Sequence, residues 1–284
     1  MEKVNIAILM ATYNGGKFLR QQIDSIVNQT FKQWDLFVHD DGSIDNTMEI
    51  LNHYTKKHQN IHLLSYKTTG EKGAMQNFMG LLERVDADMY MFADQDDVWL
   101  PNKIEMFYET MIKTQCKNEN KPILIYSDSN VTDSNLNIVS QSFIRFTGNY
   151  PQYLNSFEEC GVTSFIPGCC MMINDMAKHQ TPQITKHSMM HDIWIHLSVL
   201  KNNGVVVGIH EPLMYYRQHQ DNTLGANDAI PHTMSYRLAH IINTYKNNKE
   251  RYLMLKDLGY GSFIKYLYYK LQYKFRIALL TKHR

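Results

Sequence analysis

Residues 92–103 read FADQDDVWLPNK and place three carboxylates, Asp94, Asp96 and Asp97, directly behind the apolar run MYMFA. That run has the composition of a buried strand, and a carboxylate at the end of a buried strand costs free energy unless its charge is compensated. Mg²⁺ or Mn²⁺ would compensate it, because both prefer oxygen ligands and keep phosphate oxygens in their shell. The alternative is a turn or helix cap, in which Asp97 caps the next helix and Pro101 occupies its first turn.

Short apolar runs alternate with amphipathic helical patterns through the first half of the chain. The strand candidates are residues 4–11, 34–39, 61–65 and 89–93, and the helical patterns cover residues 18–29, 47–57 and 74–85. Alternation at this pace indicates βαβ units. The sequence therefore predicts an α/β fold with a Rossmann-like, mostly parallel central sheet flanked by helices.

The second half of the chain has a less regular pattern. Strands are predicted at residues 123–126, 169–173, 205–209 and 213–217, and a helix is predicted at residues 191–200. Residues 127–160 are polar and rich in turn formers, without a clear period. Helical patterns dominate from Pro231 onward.

Composition excludes several classes of protein. The chain has 284 residues, of which 44% are hydrophobic and 20% are charged, as is usual for a soluble globular protein. A net charge of +1 gives no support for nucleic-acid binding. We find no secretory signal and no run near the roughly 18 apolar residues of a membrane span. The four cysteines fit neither a zinc pattern nor a disulfide framework, so we expect free thiols and a cytoplasmic protein.

Polar residues follow three of the predicted strands. Tyr13 follows the first strand, Asp40 and Asp41 follow the second, and the carboxylates of residues 94–97 follow the fourth. Parallel βαβ sheets bind ligands at the carboxyl ends of their strands, so these loops should meet at one edge. The Asp40-Asp41 turn is either an Asx-turn that leaves a strand or an acceptor for the N3–H of a pyrimidine base.

Two later motifs have a structural and a chemical interpretation each. Asp192 is either a carboxylate favoured by the dipole of the helix that it opens or a general base that faces a cleft. Arg217 and His219 end another predicted strand. His219 alone is most often structural, but together the two could neutralise a diphosphate or complete a metal shell.

Taken in order, these motifs resemble glycosyltransferase family 2, the inverting group of glycosyltransferases with the GT-A fold. The matching stretches are ATYNGGKFLRQQIDSIVNQTF, HDDGSIDNT, FADQDDVWLPNKI, IPGCCMMIN, HDIW and YRQHQDNTLG. They extend over residues 4–225, and they look most like the bacterial rhamnosyltransferase-like subgroup that builds cell-surface polysaccharides. The resemblance implies a metal-dependent hexosyltransferase that uses Mg²⁺ or Mn²⁺.

The resemblance also implies a role for each matching residue. The implied nucleotide contacts are Ala11, Tyr13, Asp40, Asp41, Asn77 and Asp94. Asp96 and His219 would bind the metal, and Arg217 would bind the diphosphate. Asp192 would be the general base. Gln95, between the two key carboxylates, should point away from the site because side chains alternate along a strand.

The implied reaction moves a sugar, with rhamnose as one candidate, from a nucleoside diphosphate donor to a saccharide or lipid-linked saccharide acceptor. The alternatives are a sugar-nucleotide-binding protein without activity and a nucleotidyltransferase. A nucleotidyltransferase would carry an early Gly-rich basic phosphate loop, and TYNGGKF is a poor version of one. Asp192 argues against a protein that only binds.

We expect a catalytic domain at residues 1–228, with a nucleotide-binding half at 1–126 and an acceptor-binding half at 127–228. A helical, basic extension would follow at residues 229–284. From Leu258 onward the sequence has six basic residues, no acidic residue and many interleaved aromatic residues. Residues 258–284 therefore form either a helix that packs on its own domain or a surface that contacts anionic membrane lipid on the inner face of the cell membrane.

Overall fold

The computed structural model describes residues 4–66, 73–219 and 247–281. Its strands are β1 Ile6–Thr12, β2 Trp34–Asp40, β3 Ile61–Leu63, β4 Met89–Ala93, β5 Val98–Trp99, β6 Ile123–Thr132, β7 Ile138–Ser140, β8 Met171–Asn174 and β9 Val205–Arg217. Its labelled helices are α1 Leu19–Val27, α2 Thr47–Lys57, α3 Ala74–Arg84, α4 Lys103–Gln115, α5 Phe143–Phe146, α6 Phe157–Cys160, α7 Asp175–Gln180, α8 His191–Lys201 and α9 Phe263–Thr281. Residues 247–257 are also helical.

The strands of the described ranges form one sheet in the order β3-β2-β1-β4-β8-β6-β9-β5, with β7 paired to β6. Strands β1 to β4 are parallel, β6 and β9 are parallel to each other, and β8 lies antiparallel between β4 and β6. Six strands therefore point the same way, which confirms the predicted mostly parallel sheet. The carboxyl ends of β1, β2 and β4 lie side by side.

Two hydrophobic cores cover the two faces of this sheet. Ile6, Ile8 and Met10 of β1 face the first core, which the helices α1, α2 and α4 complete. Ala7 and Leu9 face the second core with α3 and α8. This alternation along β1 is the period of two that a strand buried on both faces requires. The apolar run at the start of the chain therefore forms the centre of a three-layer fold.

The second half differs from its predicted pattern. β6 continues to Thr132, and β9 is one long strand where two were predicted, with register shifts around Asp128. The predicted strand at residues 169–173 begins as a 3₁₀ turn, Gly168–Cys170, before β8. The stretch 127–160 shows no clear period because the elements in it beyond Thr132 have only three or four residues each.

The C-terminal residues belong to the second core. Met254, Leu255, Leu258, Tyr260 and Tyr266 are almost completely buried there against the layer that α3 and α8 form. The predicted boundary between residues 228 and 229, like the end of the motif YRQHQDNTLG, lies outside the described residues. The predicted division into domains and halves stays a prediction. Over the described parts of the chain, no helix is both long enough and apolar enough to cross a membrane.

Leu255→Ala should therefore destabilise the whole catalytic fold. Leu255 is fully buried, and removing its side chain would cost about 2–5 kcal/mol in the free energy of unfolding, because it leaves a cavity in a shared core. The matched control is Leu271→Ala, since Leu271 is 67% exposed and its loss should change stability by less than about 0.5 kcal/mol. Chemical denaturation followed by circular dichroism measures both. Equal stability of the two variants would mean that residues 247–281 fold apart from the rest.

Candidate active site

A cleft of about 490 Å³ opens at the carboxyl ends of β1, β2 and β4. Its wall contains eight of the ten residues that the sequence predicted: Ala11, Tyr13, Asp41, Asn77, Asp94, Asp96, Asp192 and Arg217. Of the other two, His219 contacts Asp96 directly, and Asp40 lies in the turn before Asp41. The strand-end rule thus brings side chains together that are far apart in the sequence.

Asp40 and Asp41, the two carboxylates where β2 ends, have different surroundings. Asp40 accepts hydrogen bonds from the Thr12 hydroxyl (2.9 Å), the Ser43 hydroxyl (2.5 Å) and the backbone N–H groups of Gly42 (3.0 Å) and Ser43 (2.8 Å). Both of its oxygens are thus used within the protein, as in the Asx-turn alternative. Asp40 therefore holds the turn that presents Asp41 to the cleft, and its nucleotide contact stays a prediction.

Negative charge is concentrated where β4 ends. Burial, together with the neighbouring carboxylate of Asp96, raises the pKa of Asp94 to about 7. Burial and the same neighbour raise the pKa of Asp97 well above its ordinary value. Both shifts have the sign expected when carboxylates lose water and repel one another. The end of β4 is therefore a place where a positive charge would be stabilised.

Asp97 does not cap a helix, which corrects that prediction. The helix α4 begins at Lys103 with Asn102 as its N-cap, so Pro101 also lies before the helix. Asp97 is buried, one of its oxygens accepts from the Arg217 backbone N–H (3.1 Å), and the other has no hydrogen-bond partner among the described residues. It therefore joins the end of β9 to the loop after β4.

A buried lysine lies against the acidic cluster and partly compensates its negative charge. Lys103 is fully buried, and its ammonium group donates to the Cys169 carbonyl at 2.6 Å. Burial lowers the pKa of Lys103, while Asp97 and Asp94 oppose that shift, so the three groups interact electrostatically. The sequence did not single out Lys103, because the first residue of an amphipathic helix carries no local sign that it will be buried.

Arg217, His219 and Asp96 form a connected group. His219 Nε2 lies 2.7 Å from Asp96 Oδ2, so the two side chains contact each other directly, and their shared binding of a metal stays a prediction. The Arg217 guanidinium donates to the Asp96 carbonyl, the Ser134 carbonyl and Gln21 Oε1, each at 2.6 Å. These bonds fix the loop of Asp96. They indicate a positioning role for Arg217, whose diphosphate contact stays a prediction.

Gln95 connects two of the loops at the cleft. Its amide accepts from the Tyr13 N–H (2.9 Å) and donates to the Tyr13 carbonyl (3.0 Å). A side chain at Gly15 would displace the Gln95 amide from this position. The prediction that Gln95 points away from the site missed this contact, because the partner lies 82 residues away in sequence.

Asp192 lines the same cleft from the first turn of α8. Its oxygens accept from the backbone N–H groups of Ile193 (2.6 Å) and Gly168 (3.2 Å). Burial raises the pKa of Asp192 to about 6, although these hydrogen bonds and Arg251 act in the other direction. A carboxylate with this pKa is largely ionised at neutral pH and can still accept a proton, which are the two requirements of a general base.

Two buried polar side chains face the cleft without a partner among the described residues. They are the carbonyl oxygen of the Asn77 side chain and both ring nitrogens of His191. Burial lowers the pKa of His191 to about 3, so its ring is neutral. His191 also needs a glycine at position 168, because a side chain there would overlap its ring. Unsatisfied buried groups at a cleft are typical of a ligand site.

The side chains at the end of β4 fit a divalent cation. Ligand atoms of Asp94, Asp97 and Cys169 lie within 4.8 Å of one another, and Asp96 adds His219. Carboxylates suit Mg²⁺ or Mn²⁺, whereas a thiol does not. Lys103 partly compensates the charge on the buried side of the cluster. Asp94 is therefore the member of this group that best suits such a cation, and ligation by Asp96 and His219 stays a prediction.

Comparison with known proteins adds a family and a fold. The model of the family "Glycosyl transferase family 2" matches residues 7–180. The dTDP-rhamnosyl transferase RfbG of Shigella flexneri is 27% identical over 90% of this chain and 86% of its own length. The UDP-Glc:alpha-D-GlcNAc-diphosphoundecaprenol beta-1,3-glucosyltransferase WfgD of Escherichia coli is 27% identical over 72% of this chain and 73% of its own length.

A solved structure has the same architecture. The mannosyltransferase PcManGT of Pyrobaculum calidifontis, in complex with GDP-Man and Mn²⁺, superposes with a TM-score of 0.57 at 12% identity over 78% of this chain. The chain spans 59% of the length of that protein. The likeness confirms the predicted GT-A fold.

Gln95→Ala should loosen the loop that carries Tyr13. The variant removes both hydrogen bonds to the Tyr13 backbone, each worth about 1 kcal/mol, so the Tyr13 amide should exchange with solvent about tenfold faster or more. Gln95→Glu keeps an acceptor for the Tyr13 N–H and should give an intermediate rate. Gln33→Ala, at an exposed position, is the control. Hydrogen exchange followed by NMR measures all three. An unchanged exchange rate of the Tyr13 amide in Gln95→Ala would mean that the two hydrogen bonds from Gln95 do not hold this loop.

Proposed function

The chain belongs to glycosyl transferase family 2, and we propose that it is an inverting enzyme of bacterial cell-surface polysaccharide synthesis. It moves a sugar from a nucleoside diphosphate donor to a saccharide acceptor. The observation that carries the proposal is that Asp192, Asp94 and Asp96 line one cleft. The same cleft thus holds a candidate base and a cluster that attracts a cation and a diphosphate.

The donor binds along the ends of β1, β2 and β4. Tyr13 is 55% exposed at the cleft, so its ring is free to stack on a nucleobase. Asp41 accepts from the base, Ala11 and Asn77 shape the nucleoside pocket, and Asp94 accepts from the ribose. Rhamnose is the sugar that we propose for the donor, supported by the name of the Shigella relative.

Asp192 is the general base of the proposed reaction. It takes the proton from an acceptor hydroxyl, whose oxygen then attacks the anomeric carbon from the face opposite the leaving group. One bond forms as the bond to the diphosphate breaks, so the configuration inverts without a covalent intermediate. The Gly168 and Ile193 N–H groups hold the carboxylate in place during proton transfer.

Asp96 and His219 are the proposed metal ligands, and Asp94 lies beside them. A bound Mg²⁺ or Mn²⁺ would stabilise the charge that develops on the departing diphosphate. Arg217 positions the backbone of Asp96 through its bond to the carbonyl oxygen. The positive charge of Lys103 reduces the repulsion among the buried carboxylates of this cluster.

The acceptor is a saccharide carried on a lipid. This choice is supported by the name of the Escherichia coli relative, which gives alpha-D-GlcNAc-diphosphoundecaprenol, a lipid-linked sugar, as the acceptor. Such an acceptor brings the enzyme to a membrane surface, and we include peripheral contact through residues 258–284 in the proposal.

Asp192→Asn should lower kcat by about 10²–10⁴-fold, because the amide cannot accept the proton. Affinity for the donor should stay about the same, since the proposed donor contacts are Tyr13, Asp41 and Asp94 and not Asp192. In the wild-type enzyme, kcat/KM should fall as the pH drops below about 6, because the base with a pKa of about 6 becomes protonated. Steady-state transfer to a saccharide acceptor measures both effects. Turnover that the substitution leaves unchanged would remove Asp192 from this role.

Asp96→Ala should weaken Mn²⁺-dependent binding of a nucleoside diphosphate by about tenfold or more, because it removes a ligand. Isothermal titration with and without Mn²⁺ measures the loss. Glu119→Ala, which removes an exposed carboxylate, is the control and should bind like the wild type.

Excess EDTA should stop turnover. Full activity in EDTA would transfer the stabilisation of the leaving group to protein cations alone.

A further inference from the structure

Helix α9 has one face that packs on the enzyme. Tyr266 is fully buried, and the Tyr273 hydroxyl accepts from the Tyr150 N–H at 3.1 Å. Lys265 pairs with Glu158 at 2.8 Å, and Arg276 pairs with Glu159 at 3.1 Å. These contacts fix the orientation of α9, so its other face also has a defined direction.

The other face is an exposed apolar stripe, which consists of Ile264, Leu267, Tyr268, Leu271, Phe275 and Leu279. Ile264 is 79% exposed, Leu271 is 67% exposed and Phe275 is 65% exposed. The spacing of three and four residues places all six on one side of the helix. Soluble monomers rarely expose a contiguous apolar patch of this kind without a binding function.

The sequence around the stripe carries an excess of positive charge. Residues 258–284 contain six basic residues and no acidic residue. Two of the six, Lys265 and Arg276, are paired with Glu158 and Glu159, and Lys270 is bonded to Asn248. Lys274 is exposed next to Phe275, where a long basic side chain can bury its stem while its charge reaches a lipid phosphate.

We propose that α9 lies in the surface of an anionic lipid bilayer, with the apolar stripe in the acyl boundary and Lys274, with the excess positive charge of the segment, at the headgroups. The same charge argues against a second copy of this chain as the occupant, because two stripes that met would bring like charges together. Anionic lipid offers both an apolar interior and the opposite charge, which is the combination that this face complements.

The docked face is coupled to the cleft through one segment. Arg251, which precedes α9, donates to the Gly161 carbonyl at 2.7 Å and to the Ser164 hydroxyl at 2.9 Å. Ser164 and Gly168 belong to the wall beside Asp192. If the acceptor is lipid-linked, as the proposed function states, it reaches Asp192 from the side on which α9 meets the membrane.

The test is flotation of the full chain with vesicles, without any donor or acceptor. The probe vesicles are phosphatidylcholine with about 30% phosphatidylglycerol, and pure phosphatidylcholine is the comparison. The variant carries Ile264→Gln, Leu271→Gln and Phe275→Gln together. The control carries Ile138→Gln and Val139→Gln, at an exposed apolar pair on β7.

We expect the wild type and the control to float with the anionic vesicles, and binding by the triple variant to fall about tenfold or more. The melting temperature of the triple variant should stay within about 2 °C of the wild type, because exposed substitutions rarely change stability. Transfer to a soluble acceptor should also persist in the variant. The binding test needs no sugar transfer, so its failure and the failure of the proposed function are distinguishable.

Three outcomes would overturn the proposal. Equal flotation with neutral vesicles would remove the role of anionic lipid. Concentration-dependent dimerisation that the triple variant abolishes, without vesicle binding by the wild type, would make a second copy the occupant. A large loss of stability in the triple variant would mean that the stripe packs against the chain's own residues 220–246.

Discussion

The burial of negative charge at the end of β4 is the constraint on which the rest of this structure depends. Asp94 and Asp97 leave water and approach Asp96, and their pKa values rise in consequence. An arrangement of this kind would be unfavourable in isolation. It persists because other elements converge on it, among them α4 with Lys103 and β9 with the backbone N–H of Arg217. The negative charge that these groups leave uncompensated lies at the cleft, where a cation with a bound diphosphate would neutralise it.

This constraint also explains why β9 extends so far. The strand begins beside β6 and ends beside Asp96. Arg217 is its last residue and His219 follows shortly after, so both residues contact Asp96. The sequence predicted two separate strands here, at residues 205–209 and 213–217, and the structure joins them into one. The register shifts around Asp128 accommodate the length, and Asp128 itself accepts from the Phe143 N–H at 2.9 Å to start α5. The polar residues of β6 thus organise the irregular half.

The sequence predicted those parts of the fold that depend on local pattern. The alternation along β1 and the helical spacing in α2 depend on neighbouring residues only, and both elements form where they were expected. The strand-end rule then placed Asp41, Asp94 and Tyr13 at one edge without any distance information. The contacts of Gln95, Lys103 and Asp40 could not be predicted, because they depend on partners that only the folded chain brings near. The sequence of a turn does not show whether the oxygens of its carboxylate accept hydrogen bonds from the protein.

Asp192 illustrates why a site can be found from sequence while its chemistry cannot. The motif His191-Asp192 placed a carboxylate at a helix start, but its pKa depends on burial, on the hydrogen bonds from Ile193 and Gly168, and on the distant Arg251. Arg251 lowers the pKa that burial raises, and it also binds Gly161 and, at the wall of the cleft, Ser164. The C-terminal segment therefore contributes both to the shape of the cleft and to the electrostatics of Asp192. A cleft defined without residues 247–281 would lack one of the groups that lower the pKa of this carboxylate.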